Sequence, residues 1–142
     1  MAYDSKVTAV TIAPDHEGKI AIVRNRERDE PLWKYPGGKD EEGETPEQCA
    51  LRELLDETGI TGTVENLTLV SKLDRGTHLF FIYVLRHGDF SGLKSAGIEH
   101  GKPALEIRLA RPWEILEMTD FVFHQKDASR DTLAQLLYGV FG

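Results

Sequence analysis

The 142-residue chain has one cysteine, Cys49, so it can form no internal disulfide and no zinc site built from paired cysteines. It contains no run of about 18 apolar residues, the length that would mark a membrane-spanning helix. Its first residues, MAYDSKVTAVTIAPD, lack the basic-then-apolar pattern of a secretory leader. Positive charge is also scarce: 17 Lys and Arg face 24 Asp and Glu, for a net charge of −7. Proteins that grip extended nucleic acid cluster their cations to displace counterions, so that class is disfavoured. There is no internal repeat, low-complexity tract or linker-like stretch. These absences predict one cytoplasmic domain over residues 1–142, a small-molecule partner rather than extended nucleic acid or a membrane, and a monomer or homodimer.

Hydrophobic residues make up 40% and charged residues 29%, ordinary values for a chain that builds its own core. VTAVTIA at 7–13 and KIAIVRN at 19–25 are rich in β-branched residues and are joined by PDHEGK, which predicts a hairpin. LWKYPGG is a short extended piece stopped by Pro36 and two glycines. Further strands are predicted within 63–73, 79–87 and 104–110, a short helix from Pro112, and a longer helix over 127–139. The aperiodic segment HGDFSGLKSAGIEHGK, at 88–103, reads as a mobile loop near a site. This order of elements predicts an α/β domain with a mixed sheet covered by helices.

The stretch GETPEQCALRELLDETGI, residues 43–60, reads as one amphipathic helix. Thr45 suits the N-cap, Pro46 the first helical position, Gln48 the third position of a capping box, and Gly59 the C-terminal stop. At 100° per residue Ala50, Leu51, Leu54 and Leu55 fall on one arc and Arg52, Glu53, Asp56 and Glu57 on the opposite one. Cys49 falls near the acidic arc as a small residue that gives clearance. Between Gly38 and Ile60 eight acids face only Lys39 and Arg52, so this segment supplies most of the net charge. Carboxylates in the last turns of a helix oppose its dipole at a cost of roughly 0.3 to 1 kcal/mol each. Glu53, Asp56 and Glu57 are i, i+3 and i+4 neighbours whose carboxylates can converge on one hard cation, Mg²⁺ or Mn²⁺, which would cancel that cost. A solvated acidic face fits the same spacing.

The wider pattern is more specific. Gly38, Glu44, Arg52, Glu53, Leu54, Asp56, Glu57, Gly59 and Ile60, at these spacings, resemble the signature box of the Nudix hydrolase family. Asp56 departs from it, standing where the family usually has Glu, one methylene longer. WKYPGG at 33–38 and AIVRN at 21–25 resemble the pieces that precede the box.

The resemblance implies an α/β/α sandwich with a mixed sheet, the box forming a loop, a helix and a loop. It implies hydrolysis of a diphosphate linked to another moiety, usually a nucleotide, by metal-activated water. Asp56 and Glu57 are then the principal metal ligands, and Glu53 is a ligand or the base. Glu44 is metal-linked or pairs with Arg52, which orients carboxylates. Many family members add an acid from a late loop; Glu99 is the first candidate here and Glu106 the second. Gly37 and Gly38 would let backbone approach phosphate or metal, or would supply a turn needing positive φ. Arg24 could meet a phosphate, Trp33 or Tyr35 could stack on a base or pack in the core, and His124 could face the substrate pocket. A nucleoside triphosphate or modified nucleotide is the preferred substrate class. The alternatives are a noncatalytic nucleotide-sensing module and an RNA 5′-end pyrophosphohydrolase served by Arg24, Arg26 and Arg28.

Overall fold

The computed structural model describes residues 3–99 and 102–137, and the side chains of 96–104 lie outside that description. Its strands are β1 (Val7–Ile12), β2 (Ile20–Asn25), β3 (Gly37–Lys39), β4 (Leu67–Asp74), β5 (Leu79–Leu85), β6 (Ala96–Glu99) and β7 (Lys102–Ala110). The helices are α1 (Pro46–Thr58), α2 (Pro112–Glu117), α3 (Phe123–Ala128) and α4 (Arg130–Leu137). A mixed four-stranded sheet runs β3-β1-β5-β4, with β1 and β5 parallel. A second, antiparallel sheet runs β2-β7-β6.

β1 alternates its burden between two layers, as a strand covered on both faces must. Val10 and Ile12 enter the main core with Ile20, Ile22, Tyr35, Phe80, Ile82, Ile115 of α2 and Leu133 of α4. Ala9 packs with Cys49 and Ala50 of α1, while Ala13 and Ala21 pack with Leu54. Alanines on β1, just past it and on β2 (Ala9, Ala13, Ala21) thus face α1 while larger side chains face α2 and α4, which lets α1 lie close to β1. The result is the expected α/β arrangement with helices on both faces of the strands. None of the helices described is long and apolar enough to cross a membrane.

Four local expectations differ from the structure. Residues 7–13 and 19–25 do not form a paired hairpin: beyond one antiparallel bridge, Pro14 to Ile20, β1 joins β3 and β5 while β2 joins β7. Each strand finds longer apolar partners far along the chain than it finds in the other. Within 88–103 the backbone forms β6 against β7 rather than only a loop, a non-local pairing that leaves little periodic trace in a Gly-bearing segment. The helix expected over 127–139 is two helices broken at Ser129, and residues 138–142 lie outside the described ones. The Ser129 hydroxyl donates to the Gln125 carbonyl at 2.7 Å and accepts from the Tyr35 hydroxyl at 2.7 Å, a side-chain bond that competes with helix continuation. Finally, β4 begins at Leu67, after a 3₁₀ turn over Val64–Asn66.

Asp40, just after β3, ties the chain's first segment to the sheet. Its carboxylate accepts the Tyr3 and Ser5 hydroxyls and the Lys6 and Val7 backbone N–H groups. Burial alone would raise its pKa, but those hydrogen bonds outweigh it and hold the carboxyl below the ordinary value. A lowered folded-state pKa gives stability that is present above the unfolded value of about 4 and is lost as pH falls through the folded value. Asp40→Asn is therefore expected to cost about 2 kcal/mol at pH 7 in urea denaturation, and to remove part of the wild type's stability loss below about pH 4.

Candidate functional site

The site is built on α1. The Thr45 hydroxyl oxygen accepts the Gln48 N–H at 3.1 Å and the Gln48 side chain accepts the Thr45 N–H at 3.0 Å, so the predicted capping box forms. Gly59 ends the helix in the left-handed region, φ 83°, its N–H bonded to the Leu55 carbonyl at 2.9 Å. Ala50 and Leu54 are buried as predicted. Leu55, expected on the same arc, is instead 45% exposed, because the packed strip is narrower than the arc.

The acids of the helix occupy different environments. Glu57 is buried, 4% exposed, and one carboxylate oxygen accepts the Gly37 backbone N–H at 3.1 Å. Glu53 lies beside it, one of its oxygens accepting an Arg52 guanidinium N–H at 2.7 Å. A Cβ on Gly38 would stand 2.8 Å from the Glu53 carboxyl carbon, and one on Gly37 would stand 2.2 Å from the Ala9 carbonyl oxygen. Neither glycine has positive φ. The turn reading is thus corrected: these glycines are needed for close approach between β3, β1 and α1.

Arg52 grips Glu44 through two parallel bonds, 2.7 and 3.0 Å, and also bonds Glu53 and the Lys39 carbonyl. This is the bidentate geometry that suits guanidinium, and it holds the Glu44 carboxyl below its ordinary pKa. Asp56 is another matter. Its side chain is 58% exposed, and the nearest cation is Arg52 at 3.9 Å. Among the described residues no group of three or more His, Cys, Asp or Glu is disposed to hold a metal ion. The expected convergence of Glu53, Asp56 and Glu57 is therefore corrected to a close Glu53–Glu57 pair. Asp56 leaves the helix about 100° away from Glu57, on the exposed side.

Burial pushes the Glu57 carboxyl up to about 8; Lys34 and the Gly37 N–H favour its charged form, while Glu53 opposes it. The helix end gains help that α1 itself does not supply: the Lys94 ammonium donates to the Asp56 carbonyl at 3.1 Å, and the Lys94 N–H to the Thr58 carbonyl at 2.9 Å. Sequence reading missed Lys94 and Lys34, because a contact spanning 38 residues, or one made across strands, has no local signal.

The other expected residues lie elsewhere. Arg24 stands over the Trp33 ring at 4.6 Å and bonds Glu106 at 2.6 and 3.0 Å, its direct cross-strand partner. Arg26 also reaches Glu106, at 4.0 Å, so two arginines of the supposed 5′-end patch are engaged with an acid. Trp33 and Tyr35 are 6% and 0% exposed, core residues rather than stacking platforms. Glu99 lies on β6 in register with Lys102, and its side chain is outside the described set. His124 packs edge-on to Phe80 and lines a cavity of about 640 Å³ with Ser71, Leu73, Arg75, Phe123 and Asp127, none of which belongs to α1. Burial, with Arg75 and His78, lowers its pKa.

This arrangement of box, helix and strands has counterparts. The model of the NUDIX domain matches residues 3–131. An 8-oxo-dGTP diphosphatase of Escherichia coli is 47% identical over 86 residues, covering 55% of this chain and 64% of the relative. A putative 8-oxo-dGTP diphosphatase of Bacillus subtilis is 36% identical over 76 residues, covering 51% of this chain and 50% of the relative. The solved mutator MutT protein of Bacillus halodurans has the same fold, with a TM-score of 0.71 and 22% identity over 90% of this chain and 82% of that one. The chain spans less than two thirds of the length of the curated relatives it matches, from 20% to 64%. With the family model covering nearly the whole chain and the box folded as a capped helix whose acids meet a Gly-Gly strand, this protein belongs to the Nudix family.

Proposed function

We propose that this protein hydrolyses a diphosphate linkage in a nucleoside triphosphate or modified nucleotide, with Mg²⁺ or Mn²⁺ as cofactor. The observation that carries the reading is Glu57: a carboxylate 4% exposed, close enough to Glu53 for that acid to raise its pKa, with one N–H donor from Gly37. A buried carboxylate so poorly compensated is costly unless a cation joins it. Family members generally use divalent metal ions, and an all-oxygen donor set suits a hard one. Glu53 and Glu57 would hold it, and such a cation supplies Lewis-acid stabilisation of charge on the phosphoryl oxygens.

The chain's own residues do the positioning. Arg52 occupies one Glu53 oxygen and leaves the other for a cation or for a proton from the attacking water. Glu44 fixes Arg52 rather than entering the cluster, so its effect on the acids is indirect. Gly37 and Gly38 bring main chain against both carboxylates. The names of the E. coli and B. subtilis relatives support an oxidised or otherwise modified nucleotide as the substrate class. A nucleotide-binding module without turnover is the second reading, favoured by the outward, exposed Asp56.

The deciding experiment is a panel of nucleoside triphosphates, 8-oxo-dGTP, nucleotide sugars, ADP-ribose and 5′-triphosphate RNA with Mg²⁺ or Mn²⁺, scored for phosphate or pyrophosphate release. Release of pyrophosphate from triphosphates is expected; binding without release from any compound would support the module instead. Glu57→Gln is expected to lower kcat/KM by about 100-fold or more. The same change should raise metal-free thermal stability, since a folded-state pKa near 8 gives stability that is full below the unfolded value of about 4.5 and is lost as pH rises through about 8. Melting curves from pH 5 to 9 without metal should therefore fall for the wild type and flatten for the variant, and Mg²⁺ should restore the wild type at high pH.

A further inference from the structure

Between β2 and β3 the chain passes through Trp33, Lys34 and Tyr35 on its way to Gly37. Trp33 and Tyr35 enter the core, 6% and 0% exposed. Lys34 is held between them by two backbone bonds to Val23, each 2.9 Å. Side chains alternate along extended backbone, so that of Lys34 leaves on the face opposite to Trp33 and Tyr35. Three residues on, the Gly37 N–H meets the Glu57 carboxylate at 3.1 Å, so this segment runs directly past the acid pair. In keeping with that placement, Lys34 is the cation whose charge bears on Glu57.

Lys34 is partly buried, yet among the described residues its ammonium makes no ion pair and no hydrogen bond. Three other cations are otherwise employed: Arg52 on Glu44 and Glu53, Arg24 on Glu106 and Trp33, Lys94 on the Asp56 carbonyl. An ammonium beside this carboxylate favours its charged form but repels an incoming metal ion. That repulsion is offset when an anionic group lies between the ammonium and the metal.

We propose that Lys34 is a phosphate ligand of this chain: its ammonium donates to a phosphoryl oxygen of the polyphosphate presented at Glu53 and Glu57. This makes the site accept metal and polyphosphate together in preference to metal alone, a positive coupling between the two. The inference rests on reading Glu53 and Glu57 as the phosphoryl-transfer site.

The test uses the full chain as wild type, Lys34→Gln and Lys34→Arg, with Lys34→Met as a second charge-removing variant should Gln impair folding. Calorimetric titration with MgCl₂ alone, and with a methylene-bridged nonhydrolysable nucleoside triphosphate in saturating Mg²⁺, provides two readouts free of turnover. Removing the ammonium is expected to weaken the analogue by about tenfold or more, as loss of a charge-assisted hydrogen bond requires, and to tighten Mg²⁺ alone by several-fold when titrated at about pH 9, where Glu57 is largely charged. Lys34→Arg should keep analogue affinity within about threefold of the wild type. Analogue affinity unchanged in Lys34→Gln, Mg²⁺ affinity unchanged or weakened in it, or no analogue binding by the wild type overturns the assignment. A wild type that binds the analogue through Lys34 yet hydrolyses nothing in the nucleotide panel overturns the hydrolase reading alone. A wild type that hydrolyses, paired with a Gln variant of unchanged analogue affinity, overturns the Lys34 assignment alone.

Discussion

The site depends on how closely α1 can lie against β3 and β1. That closeness is set by residues with almost no side chain: Gly37 and Gly38 on β3, and Ala9 beneath Cys49 and Ala50. A methyl group at Gly37 would stand 2.2 Å from the Ala9 carbonyl oxygen, and that neighbour is backbone, which cannot swing aside. Because the gap is so small, a main-chain N–H reaches a carboxylate at the far end of the helix, and Glu57 is sealed in with it. The same gap accounts for Cys49, whose thiol fits under the Gly38 carbonyl at 3.3 Å.

From this packing follows a division of charge. Acids clustered toward the end of a helix oppose its dipole, and a bound cation is one remedy. The fold supplies others first. Arg52 neutralises Glu44 and shares Glu53, while Lys94 and Gly59 occupy carbonyls at the helix end. What remains is concentrated on Glu57, the acid with the least water and a single N–H donor. Asp56, which departs from the family pattern, is left in solvent. The electrostatic burden is thus local, centred on one buried acid rather than spread over an evenly acidic surface.

Much of this was legible in the residues. The helix, both of its caps, the Glu44–Arg52 pairing and the family box all rest on contacts a few residues apart or on a fixed spacing. Less was legible where partners are distant. VTAVTIA and KIAIVRN read as a hairpin although they enter different sheets, because alternation reveals a strand but not its neighbour. Ser129 breaks a helix whose periodicity looked continuous, since its partner Tyr35 lies 94 residues away. Arg24, Trp33 and Tyr35 suit substrate contacts by residue type, but Glu106 engages Arg24 and the core takes both rings, partners that lie far along the chain or across the sheet.

That α1 forms, where it starts and stops, and that its acids share one side follow from 3.6-residue periodicity and capping chemistry, which are local to the chain. Which acid is buried, which is paired and which is left mostly in water follows from packing against β3 and Arg52. Neighbours at i, i+3 and i+4 are equivalent on an isolated helix. They become different when one meets the Gly37 N–H of β3, another is bonded by Arg52, and the third stays largely in solvent.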